Sequence, residues 1–513
     1  MRRNILFITT DQQRYDALGC NGGRVARTPV ADRWASQGIR YSRAHVQNVV
    51  CMPSRATMVT GQHVSSHGVW ANGVALPADT PNVAALLRAA GYRTALIGKA
   101  HFEPATVLSF PENQMAMAGS TGPHRGFDHM ELTMHGPQPF WHYGSWLMKQ
   151  APAAAAGFYP VLRPGADGKL MVNADGGGDT GACQVKHNPI ARALYHTDWV
   201  AERAEAFLDG IEGEQPWFLW ASFPDPHHPW DPPQAELARH PWRDLDLPDF
   251  YPGSAEAARA LLASKPHHWA DWFEGRKVSN FEAPPDFVPA AVTPDQFREI
   301  NAAIHVKNEL IDEACGRIWA AVEAHGWDRN TDIVFTTDHG EFQGEFGLLF
   351  KGPYHVDALM RVPLFWRPAA MAAVPASVID APVGLVDLAP TFCRIAGLPA
   401  PDWMEGGVLP ADAAAAASCR PYVFTEWDSE LGAVSLHLKS VCAEGFLLTL
   451  YDRSSEYDGS EGELYDLARD SAQLVNRWDD PDLAALRRRL SALIDTELPN
   501  RHAPKRLPQV ASV

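Results

Sequence analysis

The sequence predicts an α/β fold: a large mixed, mostly parallel sheet sandwiched by helices, followed by a smaller C-terminal α+β part with an antiparallel sheet. Three observations carry this. Short, continuous apolar runs recur along the chain, helical stretches lie between them, and beyond residue 411 the pattern changes to strand-like segments closed by one helix. Continuous apolar runs suit strands buried on both faces, as under helices in a parallel sheet. Their alternation with helices is the mark of α/β architecture. At 513 residues the chain also exceeds one compact core.

Taken in order, four runs share a feature: each ends abruptly in a polar cluster. N-I-L-F-I-T-T (4–10) runs into Asp11-Gln12-Gln13-Arg14, and T-A-L-I-G (94–98) into Lys99-Ala100-His101. W-F-L-W-A-S-F (217–223) runs into Pro224-Asp225-Pro226-His227-His228-Pro229, and D-I-V-F-T-T (332–337) into Asp338-His339-Gly340-Glu341. Ligands of open α/β sheets bind outside the carboxyl ends of the strands, so these clusters are expected to converge on one site. Residues 56–59 read as helical with Gly61 closing the turn, as do 81–91 with a Gly stop and 295–325. Residues 104–190, rich in Gly, Pro, Met and Ala, and 226–293, dense in Pro, Trp and His, read as long insertions. An alanine run near 411 reads as a linker or loose helix. Beyond it R-P-Y-V-F-T-E-W, L-K-S-V-C-A and F-L-L-T-L-Y read as antiparallel strands, with a terminal helix near 480–497. The expected division is a catalytic α/β domain over 1–410 and a C-terminal α+β subdomain over 411–513.

Composition narrows the function. With 44 basic against 61 acidic residues, the formal charge of −17 argues against nucleic acid or an anionic membrane as partner. An anionic substrate would need its cations concentrated locally. Seven cysteines are scattered singly without CxxC spacing, which fits neither a disulfide framework nor a zinc knuckle. The apolar run after Arg2-Arg3 is too short for a signal-peptide core, and no stretch approaches membrane-spanning length. The simplest reading is cytoplasmic.

On residue chemistry alone, each candidate keeps an ordinary alternative. Cys51 is an inert buried thiol or, with Arg55 one turn on near a helix N-terminus, an activated or anion-holding position. Asp11 is a helix cap, and Asp338-His339 a cap with a satisfied histidine. Together, at two strand ends, these carboxylates, the Gln12 amide and the imidazole make a divalent-metal site. Lys99 and Lys351 are solvated lysines or anion holders, and His227 a structural or a catalytic histidine. Asn72 is a turn residue before Gly73 or a polar contact. Trp70, Trp141, Trp146 and Trp230 wall an aryl pocket or belong to the core.

Cys51-Met52-Pro53-Ser54-Arg55 followed by Thr60-Gly61 resembles the sulfatase signature C-x-P-S-R-x-x-x-x-T-G. The other clusters fall in that family's order. They are Asp11-Gln12, Gly98-Lys99-x-His101, Pro226-His227-x-Pro229, Asp338-His339-Gly340-Glu341, Lys351-Gly352-Pro353 with Arg361-Val362-Pro363-Leu364, and E-L-Y-D-L (463–467). The match spans nearly the whole chain, which is similar to type I sulfatases of the alkaline phosphatase superfamily.

The resemblance implies that a maturation enzyme oxidises Cys51 to formylglycine. One hydroxyl of its hydrate would attack sulfur and form a covalent sulfate ester. Loss of the second hydroxyl's proton would then expel sulfate and restore the aldehyde. It further implies a metal held by Asp11, Gln12, Asp338, His339 and the residue derived from Cys51. Arg55 would stabilise the ionised diol, Lys99 and Lys351 would hold nonbridging oxygens, and Asn72 would touch the transferred group. His227 would be the general acid and His101 the base. Many sulfatases carry two adjacent acids and Asp-Asn at the metal positions. Gln12 and His339 instead resemble the phosphonate monoester hydrolase and choline-sulfatase-like branches, and an imidazole ligand favours manganese over calcium or magnesium. Lys99 with His101 favours sulfate. The expected activity is hydrolysis of sulfate monoesters, aryl sulfates first. The alternatives are a phosphonate monoester or phosphodiester hydrolase and an inactive anion-binding member. A homo-oligomer, dimer or tetramer, is expected from the long insertions.

Overall fold

The computed structural model describes residues 2–105, 107–164, 170–173, 175–277, 283–284, 287–429, 434–499, 503 and 505–508. The portions of the two predicted insertions and of the C-terminal part between these ranges lie outside the described residues. Eight strands form the main sheet: β1 (Asn4–Asp11), β2 (Ile39–Tyr41), β3 (Arg93–Gly98), β4 (His129–Leu132), β5 (Trp217–Pro226), β6 (Thr331–Thr337), β7 (Leu364–Arg367) and β8 (Ser377–Ile379). Their spatial order is β8-β2-β7-β6-β1-β5-β3-β4. Within it β6, β1, β5, β3 and β4 run parallel, and β7 is antiparallel to both its neighbours. The four runs that end in polar clusters are thus β1, β3, β5 and β6, adjacent and parallel at the centre, with their carboxyl ends at one edge.

The continuity of those runs has a packing cause. In β1, Leu6 and Ile8 face one core while Ile5 and Phe7 face another, all fully buried. In β5, Leu219 and Ala221 oppose Phe218 and Trp220 in the same way. The first face packs against helices α1 (Pro29–Ser36), α4 (His196–Asp209) and α5 (Pro294–Ala324). The second packs against α2 (Cys51–Thr60), α3 (Val83–Ala89) and α6 (Leu388–Ala396). A strand covered on both sides keeps few polar side chains, and those it buries are paired, as Thr9 Oγ1 is with Ser222 Oγ at 3.0 Å.

The alanine run is a five-residue helix, Ala413–Ala417, capped by Asp412, whose side chain accepts from Ala415 N. After it, β9 (Tyr422–Ser429), β10 (Leu436–Ala443), β11 (Phe446–Tyr451) and β12 (Gly462–Asp466) pair antiparallel in sequence order. One face of this sheet, with Leu438, Leu447 and Tyr465, joins the core of the main sheet. The other, with Val441, Leu448 and Leu464, is covered by Leu490 and Ile494 of the terminal helix α7 (Ala484–Glu497). No helix among the described residues is long and apolar enough to cross a membrane.

Two findings differ from the sequence reading. Helix α2 begins at Cys51 rather than Ala56. Pro53 sits in its first turn, where a missing N–H costs nothing because those donors have no helical partner. Gly61 does close it, at φ +68° with its N–H on the Thr57 carbonyl at 2.8 Å. Second, the stretch 104–190 is not wholly an insertion, since it supplies β4, an edge strand of the main sheet.

Candidate active site

The four strand ends meet at Cys51, the first residue of α2, which is buried. Its Sγ lies 3.2 Å from His339 Nε2 and 3.6 Å from Asp11 Oδ1. His339 Nε2 is 3.8 Å from Asp11 Oδ1 and 3.6 Å from Asp338 Oδ1. These four ligand atoms all lie within 4.8 Å of one another. Metal–ligand distances of about 2.0–2.6 Å place neighbouring ligands about 3–4 Å apart. Two carboxylate oxygens and an imidazole nitrogen at this spacing fit a divalent cation.

The other carboxylate oxygens face the protein's own cations. Lys99 Nζ donates to Asp11 Oδ2. Arg55 Nε donates to Asp338 Oδ2 at 2.8 Å, and its Nη1 to the Lys99 carbonyl at 2.7 Å and to Ser222 Oγ at 2.8 Å. This lattice requires glycine at 98. The residue has φ +112°, and a Cβ there would stand 1.8 Å from the Ser222 carbonyl oxygen, which the Lys99 N–H reaches at 2.9 Å.

Gln12, at φ +65°, turns out of β1 so that its backbone N–H donates to Asp338 Oδ1 at 3.0 Å. Its side-chain oxygen accepts from Lys351 Nζ and its Nε2 donates to Glu341 Oε1 at 2.6 Å. Lys351 Nζ also donates to His227 Nε2 at 2.9 Å. His227 Nδ1 lies on the His228 carbonyl, so this ring works through Nε2. His228 turns instead to Gln12, with Nδ1 at 3.3 Å from Nε2, and packs on Trp230 and Phe350. Asn72 Oδ1 accepts from the Met52 N–H at 2.9 Å, satisfying a donor of the first turn of α2. His101 is buried, and its Nδ1 meets no hydrogen-bond partner among the described residues.

Burial, reinforced by Asp338, raises Asp11 to about 6 even against Lys99 and Arg55. Burial would raise Asp338 too, yet His339, Arg55 and Lys99 hold it below the usual carboxylate range. Burial pushes His339 down to about 3, which keeps its nitrogen available as a ligand. His101 and His227 are pushed well below the ordinary imidazole value, first by burial and then by neighbouring charged groups. Burial lifts Glu341 to about 8, which favours its neutral form beside Gln12.

The structure thus joins Asp11, Gln12, Cys51, Arg55, Lys99, His227, Asp338, His339 and Lys351 in one network. Asn72 touches its helix, and His101 lies within electrostatic reach of Lys99, Arg55 and Asp338. Trp70, Trp141 and Trp230 belong to the core. Sequence reasoning missed His135, whose Nε2 accepts from Lys99 Nζ at 3.1 Å, and Ser222, which ties Arg55 to Lys99.

Comparison with known proteins agrees with this geometry. The family model "Sulfatase" matches residues 3–398, and one described as "N-sulphoglucosamine sulphohydrolase, C-terminal" matches residues 344–498. An arylsulfatase of Clostridium perfringens is 28% identical over 411 residues, covering 79% of this chain and 77% of that protein. A protein of Escherichia coli K12 described as an uncharacterized sulfatase, YidJ, is 25% identical over 496 residues, 96% of this chain and 87% of its own. The phosphonate monoester hydrolase of Agrobacterium radiobacter shares the fold with a TM-score of 0.76 at 24% identity, covering 96% of this chain and 95% of that one. Matched over most of its length by the family model, the chain belongs to the sulfatases, sulfuric ester hydrolases of the alkaline phosphatase superfamily.

Proposed function

We propose that the protein hydrolyses sulfate monoesters, aryl sulfates first, at the Cys51 cluster. The observation that carries this is the split of each carboxylate. Asp11 and Asp338 turn one oxygen to the centre shared with Cys51 and His339, and the other to Lys99 or Arg55. A metal held there by Asp11, Asp338 and His339, with the Gln12 amide beside them, supplies Lewis acidity, manganese being the favoured ion. The aldehyde derived from Cys51 by a maturation enzyme supplies the hydrated nucleophile. The chain's residues do the rest. Lys99 and Lys351 present ammonium groups to the nonbridging oxygens of a sulfate, where charge collects as the S–O bond breaks. Arg55 steadies negative charge at the position of Cys51, and Asn72 fixes the helix end that presents it. His227, whose Nε2 accepts from Lys351 in the resting site, would carry a proton there for the bridging oxygen of the leaving group once a bound sulfate draws the Lys351 ammonium to itself. An arriving anion favours the protonated ring that burial alone disfavours. His101, buried and pushed towards its neutral form, would take a proton from the nucleophile.

The test is the ratio of kcat/KM on 4-nitrophenyl sulfate and on the 4-nitrophenyl ester of phenylphosphonate, using protein produced with a maturation enzyme. A higher efficiency on the sulfate is expected, and a higher one on the phosphonate would overturn the reading. That second reading, phosphonate monoester hydrolysis, draws on Gln12 and His339 at the metal positions.

A further inference from the structure

Strand β4 ends at Leu132, and three residues on it delivers His135 into the site from the sheet's far edge. Its Nε2 accepts from Lys99 Nζ at 3.1 Å and lies 3.5 Å from Asp11 Oδ2. Its ring lies flat on that of His227, with centroids 4.0 Å apart and planes within 14°. One side chain therefore touches both an ammonium proposed to bind the substrate anion and the imidazole proposed to protonate the leaving group.

We propose that His135 is a positioning residue for the hydrolysis: its Nε2 aims the Lys99 ammonium, and its ring face fixes the plane of His227. This rests on the reading of Lys99 and His227 given above. Two of the three Lys99 N–H groups are committed, to Asp11 and to His135, which sets the direction of the third. His227 is held at its edge by the His228 carbonyl and Lys351, and the His135 ring closes one of its faces. An acid that swings even slightly from its hydrogen-bond line to the leaving oxygen loses much of its effect.

The two contacts can be removed separately. His135→Gln places an amide oxygen near the position of Nε2, keeping an acceptor for Lys99 while abolishing the stack. His135→Phe keeps the ring and abolishes the acceptor. Both are made in the metal-loaded, matured enzyme and compared with the parent on an alkyl sulfate, on nitrophenyl sulfate, and for inhibition by inorganic sulfate. For Gln, the rate on the alkyl sulfate should fall about tenfold further than on nitrophenyl sulfate, with sulfate inhibition little changed. For Phe, sulfate inhibition should weaken about tenfold with the leaving-group dependence unchanged. Equal losses on every readout in both variants, or no loss in either, would overturn the proposal. His227→Ala runs alongside. If it lacks leaving-group dependence, the site reading fails and takes the stacking half with it. If it shows that dependence while both His135 variants match the parent, only the present inference fails.

Discussion

Arg55→Met tests the charge lattice directly. The guanidinium is fully buried and makes an ion pair with Asp338 at 2.8 Å and hydrogen bonds to the Lys99 carbonyl and Ser222 Oγ. Methionine keeps much of the volume but leaves Asp338 without its guanidinium, while the Lys99 carbonyl keeps its bond from Ser222 Oγ and Ser222 Oγ keeps its bond from Thr9. Removing one member of a buried pair costs about 3–5 kcal/mol. Unfolding entropy near about 2.1 cal/mol/K per residue scales to roughly 1.1 kcal/mol/K for a chain of this length, so the melting temperature should drop by about 3–5 °C. Metal-free and manganese-loaded protein are compared by calorimetry. The drop should be larger without metal, because a bound cation takes over part of the compensation of Asp338. Arg55→Lys should recover some stability but not activity, since an ammonium cannot span Asp338, Lys99 and Ser222 as the fork does. A metal-free shift below about 1 °C would refute the reasoning, because it would mean that Asp338 does not depend on this partner.

Other outcomes follow from the same geometry. Cys51→Ser should bind metal as the parent does but lose multiple turnover, which a steady-state assay against a metal titration reads; near-parental turnover would sink the formylglycine reading. Chelation should abolish activity and manganese restore it better than calcium, equal recovery with calcium counting against His339 as a ligand. Because burial holds Asp11 at about 6, its proton competes with the metal below that pH. Affinity by calorimetric titration should therefore weaken about tenfold per unit as pH falls from 6 and stay level above it. His227→Ala should slow an alkyl sulfate by about 10²–10⁴-fold and an activated nitrophenyl sulfate far less. His228→Ala should affect both substrates alike, and the reverse pattern would assign the acid to His228.

What the sequence revealed and what it hid have one physical cause. Strands β1, β3, β5 and β6 were legible because burial on both faces leaves a mostly apolar run, and a polar cluster stands at or just beyond its carboxyl end. Asp11, Lys99 and Asp338 stand at such breaks, with His227 just beyond one. Strand β4 was not legible, because only Met130 and Leu132 of its four residues are buried and the edge position tolerates His129 and Glu131 in alternation with them. With the strand went His135. Strands β2, β7 and β8, three or four residues each, are too short for any period to register. The start of α2 was missed because Pro53 reads as a helix boundary when it is a first-turn residue.

The site also shows how a chain of net charge −17 can receive an anion. Asp11 and Asp338 are opposed by Lys99, Arg55 and Lys351, all fully buried or nearly so, which leaves the cluster positive before any metal is counted. Surface charge farther off than a Debye length of about 8 Å is screened at physiological salt, so an approaching sulfate responds to the local excess rather than to the total. The same cations orient the two carboxylates. With one oxygen of each committed to Lys99 or Arg55, the other is aimed at the centre without further reorganisation. Holding like charges this close requires a frame that does not yield. The parallel strands β1, β3 and β6, with the N-terminus of α2 laid across their ends, carry Asp11, Lys99, Asp338 and Cys51 on elements whose own positions are fixed by a core on each side.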